Sequence, residues 1–83
     1  MTTAKHKKTT PSKVLLAKNL RILRAANDWS QMKLSEHSGV DSKYIVGLEK
    51  AGRRPSLDTL DKLAAAFGLQ PFELLQPRDS SAR

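Results

Sequence analysis

Residues 31–50 read QMKLSEHSGVDSKYIVGLEK, and this stretch decides the fold. Ser30, just ahead of it, is a favoured N-cap: its hydroxyl satisfies an orphan amide of a helix over about Gln31 to His37. Ser38-Gly39 breaks that helix, because Gly39 takes the left-handed conformation without a Cβ penalty. Asp41 then caps a second helix over about Ser42 to Lys50, with Val40 and Ile45 straddling the cap in staple-like positions. Two short helices joined by so tight a turn need a small residue where they cross, and Ser35 supplies it. Leu34, Val40, Ile45 and Leu48 lock the pair to the rest of the domain. The other face of the second helix carries Ser42, Lys43, Val46, Gly47 and Lys50, short or basic side chains free to meet another molecule.

The pattern continues outward on both sides. Upstream, Leu16, Leu20 and Leu23 recur at helical spacing over about Val14 to Asn27, with Lys18 and Arg21 pointing elsewhere. Downstream, Gly52 and Pro55 stop the helix that began at Ser42. Ser56 caps a fourth helix whose apolar stripe is Leu57, Leu60, Leu63, Ala64 and Phe67, with Asp58 favouring its dipole. Gly68 terminates it. A fifth, short helix starts at Pro71 and carries Phe72, Leu74 and Leu75. No alternating strand pattern of useful length is present. The expectation is an all-α, five-helix domain over residues 14–76. Residues 1–13 are polar and basic and are expected to form a flexible arm, and residues 77–83 a short flexible tail.

Charge says what the free face is for. The 83 residues hold fifteen Lys+Arg against eight Asp+Glu, a net +7. Residues 1–27 hold seven basic residues and no acid, residues 28–55 five basic and four acidic, and residues 56–83 three basic and four acidic. A strongly positive half beside a nearly neutral one marks one face for a polyanion.

From Leu16 to Leu75 the sequence resembles the Cro and phage-repressor type of helix-turn-helix DNA-binding domain, often called XRE-like. The likeness runs through Leu20, Leu23-Arg24, Trp29-Ser30-Gln31, Leu34, Ser38-Gly39-Val40, Tyr44-Ile45 and Leu48-Glu49. It continues through Arg54-Pro55-Ser56-Leu57, Leu60, Leu63-Ala64 and Phe67-Gly68. It implies a five-helix phage-repressor-like domain that binds operator DNA as a homodimer and regulates transcription, a repressor or controller protein of the cytoplasm. There are departures. Ser35 stands for the usual alanine. Ala51 stands where a glycine is usual, with Gly52 one place later. Gly47 stands where relatives often place a base-contacting side chain, and Val46 is unusually apolar for an outward position.

The resemblance also implies roles. The start of the recognition helix meets base edges in the major groove, so Ser42 and Lys43 are expected there, with Val46 against a thymine methyl. Gln31, at a helix N-terminus, suits a phosphate, and Lys33, Lys50, Arg53 and Arg54 surround the same face. Tyr44 either offers its hydroxyl to a phosphate or packs beside the preceding helix. Arg24 and Glu49 match an internal ion pair linking the first helix to the third, a structural role. Trp29 is expected to pack between the first two helices rather than stack on a base. Lys5, Lys7 and Lys8 lie on the arm, which either wraps DNA or only solubilises the chain.

The remaining classes fall away. Without cysteine there is neither a disulfide nor a Cys-based metal site, and His6 and His37 have no partners, so no metal is expected. No apolar run approaches the roughly 18 residues of a membrane span. No nucleophile-base set, glycine-rich phosphate loop or close carboxylate pair stands out, so no enzyme or cofactor is expected, and no small-molecule effector is evident. The rival reading is a toxin-neutralising antitoxin that also binds its own promoter. With only residues 76–83 after Leu75, its toxin-wrapping segment is expected to be the N-terminal arm. One recognition helix reads too few base pairs to find a single genomic site, so two-fold pairing is expected. Leu69, Phe72, Leu74 and Leu75 crowd a short segment and are the expected seam, Phe72 first.

Overall fold

The computed structural model describes residues 10–78. They form four α-helices, α1 (Ser12–Ala26), α2 (Gln31–Ser38), α3 (Ser42–Glu49) and α4 (Leu57–Ala66), followed by a 3-10 helix, Pro71–Leu75. There is no strand among the described residues. The fold is all-α, as expected, but the fifth element is a 3-10 turn. Gln70 and Glu73 close a capping box around it, with the Gln70 amide donating to the Glu73 carboxylate at 2.9 Å.

α1 begins two residues before Val14. The Pro11 carbonyl accepts from both Val14 and Leu15 at 3.0 Å, which draws Ser12 and Lys13 into the helix; the rest of the expected arm, residues 1–9, lies outside the described residues. The other starts follow local chemistry. Ser30, Asp41 and Ser56 each accept a hydrogen bond from the amide two or three residues on, at 3.0 Å.

Three helix ends close in the same way. After α1, the Trp29 amide reaches back to the Arg24 carbonyl and that of Asp28 to Ala25; after α3, Gly52 reaches Gly47 and Ala51 reaches Leu48; after α4, Leu69 reaches Ala64 and Gly68 reaches Ala65. This Schellman closure needs one left-handed residue. Gly68 provides it after α4, but Asp28 (φ 60°) and Ala51 (φ 59°) provide it elsewhere. The stop after α3 is therefore Ala51, not Gly52, and the missing glycine has left its geometry in place.

The core is Leu16, Leu20, Leu23, Leu34, Val40, Ile45, Leu48, Leu60, Leu63, Ala64 and Leu74. α1 packs on α3 and on the 3-10 helix, α2 on α3 and α4. Two expectations fail. Leu57 is 80 % exposed, because it sits at the first position of α4, beyond the edge of the core, on the rim of a groove with Pro55, Leu60 and Leu75. Leu74 is 0 % exposed: the 3-10 turn directs it inward, where it fills the core and is lost to any subunit seam. Buried Asn19 holds that turn in place, donating from Nδ2 to the carbonyls of Leu74 at 2.6 Å and Gln76 at 2.7 Å.

Trp29 stacks between two rings, His37 of α2 at 4.2 Å and Phe67 at the end of α4 at 5.3 Å. It joins α2 to α4 rather than α1 to α2.

Candidate nucleic-acid interface

The α2–turn–α3 unit is held at its turn and at its far end. At the turn, Gly39 takes φ 78° and Ser35 Oγ donates to the Val40 carbonyl at 2.6 Å. The small residue at the crossing thus does more than leave room; its hydroxyl satisfies a buried acceptor where the chain reverses.

At the far end the organising group is Glu49, 5 % exposed. Arg24 grips its carboxylate with both prongs, Nε to Oε2 at 2.6 Å and Nη2 to Oε1 at 2.7 Å. Arg24 Nη1 also donates to the Trp29 carbonyl at 3.0 Å, and Gln31 Nε2 donates to Glu49 Oε1 at 3.1 Å. Arg21 caps the α3 end by donating to the Glu49 carbonyl. One carboxylate therefore ties α1, the start of α2 and the end of α3 together. Its hydrogen bonds, aided by charge and opposed by burial, hold the Arg24 pKa above the ordinary guanidinium value. The expected pair is present, and it is a bidentate, largely desolvated one.

α3 shows one face outward. Lys43 and Lys50 are exposed, and Ser42, Val46 and Gly47 are half-buried between them. Residues 43, 46, 47 and 50 share a helical stripe. Arg53 and Arg54 are exposed on the loop that follows, and Lys33 of α2 is exposed with a loose 3.6 Å pairing to Glu36. Gln31 sits half-buried, its side chain turned toward Glu49. Lys5, Lys7 and Lys8 lie outside the described residues.

Tyr44 departs from the phosphate expectation. Its hydroxyl donates to the Arg54 carbonyl at 2.6 Å. That proton is spent on the loop, and a phosphate needs a donor, so Tyr44 is a positioning residue. Its ring lies under the Arg53 guanidinium, 5.2 Å from centroid to Cζ. Arg53 in turn lies across Gly47: a Cβ added there would meet Arg53 Cγ at 2.6 Å. No local pattern signals this contact, which joins residues six apart across a helix end.

No helix among the described residues is long and apolar enough to cross a membrane. Phe72 is 61 % exposed, with Leu69 and Leu75 half-buried beside it.

The helix-turn-helix family model matches residues 20–74. A hypothetical transcription factor of Neisseria meningitidis is 34 % identical over 65 residues, covering 78 % of this chain and 61 % of the relative. The chain thus spans less than two thirds of that relative's length. The control protein C.SmaI of Serratia marcescens is 40 % identical over 63 residues, covering 76 % of this chain and 75 % of that one. Among solved structures, the restriction-modification controller protein C.AhdI of Aeromonas hydrophila superimposes with a TM-score of 0.71 at 40 % identity, covering 75 % of this chain and 94 % of that one. The chain belongs to the XRE-type helix-turn-helix family of transcriptional regulators and is a homologue of the restriction-modification controller proteins.

Proposed function

We propose that the chain is a sequence-specific repressor or controller that binds a two-fold symmetric operator in the cytoplasm as a homodimer, with α3 in the major groove. The observation that carries this is the outward face of α3. Its lysines, Lys43 and Lys50, are exposed and form no ion pair among the described residues, and the buried Arg24–Glu49 grip fixes its orientation. Ser42 and Lys43, at the start of α3, are the base-reading residues, with Val46 against a thymine methyl. Lys33, Lys50, Arg53 and Arg54 supply the cationic rim, and the α2 N-terminus near Gln31 suits a phosphate.

The seam is proposed on the face of the 3-10 helix, with Phe72 at its centre and Leu69 and Leu75 beside it. That region carries no excess of positive charge, so pairing there leaves the basic faces outward. The control-protein relatives support a role in regulating a transcription unit, binding rather than catalysing.

The test is fluorescence anisotropy of labelled duplex DNA across a salt series. Four cations on each of two protomers neutralise about four to eight phosphates, which gives a slope of log affinity against log salt of about −4 to −7. A flat dependence contradicts DNA binding.

A further inference from the structure

Gly47 lies in the middle of the outward stripe of α3, between Lys43 and Lys50, and has no side chain to offer DNA. The structure shows what fills the gap. The Arg53 stem lies against Gly47 so closely that a single methyl there would reach Cγ at 2.6 Å and Cδ at 3.3 Å. The guanidinium continues over the Tyr44 ring at 5.2 Å.

Three features fix the root of this side chain. Ala51 turns the chain back with φ 59°. The Gly52 amide bonds to the Gly47 carbonyl at 2.9 Å, which brings the loop against α3. Tyr44 anchors the next residue through the Arg54 carbonyl at 2.6 Å. Arg53 therefore starts on the loop and runs back across the recognition helix, from Gly47 to the Tyr44 ring, while the residue as a whole remains exposed.

We propose that Arg53 is a base-reading residue for the operator, occupying the α3 position that Gly47 vacates, with Gly47 as its bed and the Tyr44 ring as its support. This rests on the DNA-binding reading above and moves Arg53 from the phosphate rim to the reading face. The chemistry favours guanine. Stacking on Tyr44 leaves the guanidinium edge free, and that edge matches the paired O6 and N7 acceptors that guanine shows in the major groove. Its stem against Gly47, in the stripe that Lys43, Val46 and Lys50 share, puts it on the face that meets base edges when α3 enters the groove.

The experiment is selection from random duplex DNA with the wild type, Arg53→Ala, Arg53→Lys, Gly47→Ala and the Gly47→Ala/Arg53→Ala pair. Anisotropy on the enriched duplex and on a scrambled one accompanies it. Arg53→Ala is expected to lose a guanine preference at one position of each half-site. It is expected to weaken the enriched duplex by about 5- to 150-fold, and the scrambled one by less. Arg53→Lys, which lacks the fork, does not restore the preference. Gly47→Ala displaces the stem and loses the same preference, and adds no loss at that position when Arg53 is already alanine.

Two results overturn the proposal alone. One is an Arg53→Ala profile identical to the wild type with equal weakening on both duplexes, the behaviour of a phosphate contact. The other is a Gly47→Ala variant that keeps the full guanine preference. A wild type that enriches no sequence overturns the DNA-binding reading, and this proposal with it.

Discussion

Truncating Arg24 to alanine removes the group that makes a buried carboxylate tolerable. Glu49 is 5 % exposed and is held by two Arg24 hydrogen bonds of 2.6 and 2.7 Å. Among the described residues, Arg24→Ala leaves only the Gln31 amide on the carboxylate, at Oε1 and 3.1 Å. Removing one partner of a buried pair costs about 3–5 kcal/mol, because the other charge stays desolvated. A domain of this size has a total stability of roughly 4–12 kcal/mol, so the loss is a large part of the whole. At about 4–8 °C per kcal/mol, the melting temperature falls by well over 10 °C. The double variant Arg24→Ala/Glu49→Gln separates charge burial from packing. It has no stranded carboxylate and recovers part of the loss, so the two single changes are not additive. Circular-dichroism melts of the four proteins measure this directly. An Arg24→Ala melting temperature within about 2 °C of the wild type, a small fraction of what this cost implies, refutes the buried-pair reasoning. A double variant no more stable than Arg24→Ala assigns the loss to packing instead.

Ala51→Gly relieves a left-handed alanine, and against the added freedom of the unfolded chain it nets a stabilisation of about 0.5–1 kcal/mol. A lower melting temperature contradicts the Schellman closure after α3. Lys43→Ala is expected to relax base preference and cost about 1–3 kcal/mol on the selected duplex; equal losses on selected and scrambled DNA contradict a reading role. Phe72→Asp is expected to give a monomer in sedimentation equilibrium at micromolar concentration that still folds, since Phe72 is 61 % exposed in the single chain, with its melting temperature lowered only by the lost association and no longer dependent on protein concentration. A variant that sediments as the wild type does removes Phe72 from the seam.

The α2–turn–α3 unit was legible because its signals are local. Ser30, Gly39 and Asp41 act within three residues of themselves, and the capping bonds at 3.0 Å follow from their identity. The Arg24–Glu49 pair came through resemblance; spacing alone does not place residues of different helices together. The misses are of one physical kind. Leu74 and Leu75 are adjacent, and which faces inward depends on the tightness of a 3-10 turn that apolar content does not encode. Leu57 fits the helical stripe in sequence, but a first-turn position can overhang the core. Asn19 reads as a polar helix residue, and its burial depends on carbonyls more than fifty residues away. The Tyr44 hydroxyl and the Arg53 stem depend on where the chain goes after Ala51, a left-handed turn made by a residue that rarely takes it.

Selection from random duplex DNA by the wild-type protein, followed by sequencing, tests operator binding most directly. The predicted result is an inverted repeat whose two half-sites are centred about one helical turn apart, roughly 34 Å, so that two α3 helices enter successive major grooves on one side of the duplex. No enrichment, or an enriched sequence without two-fold symmetry, contradicts it.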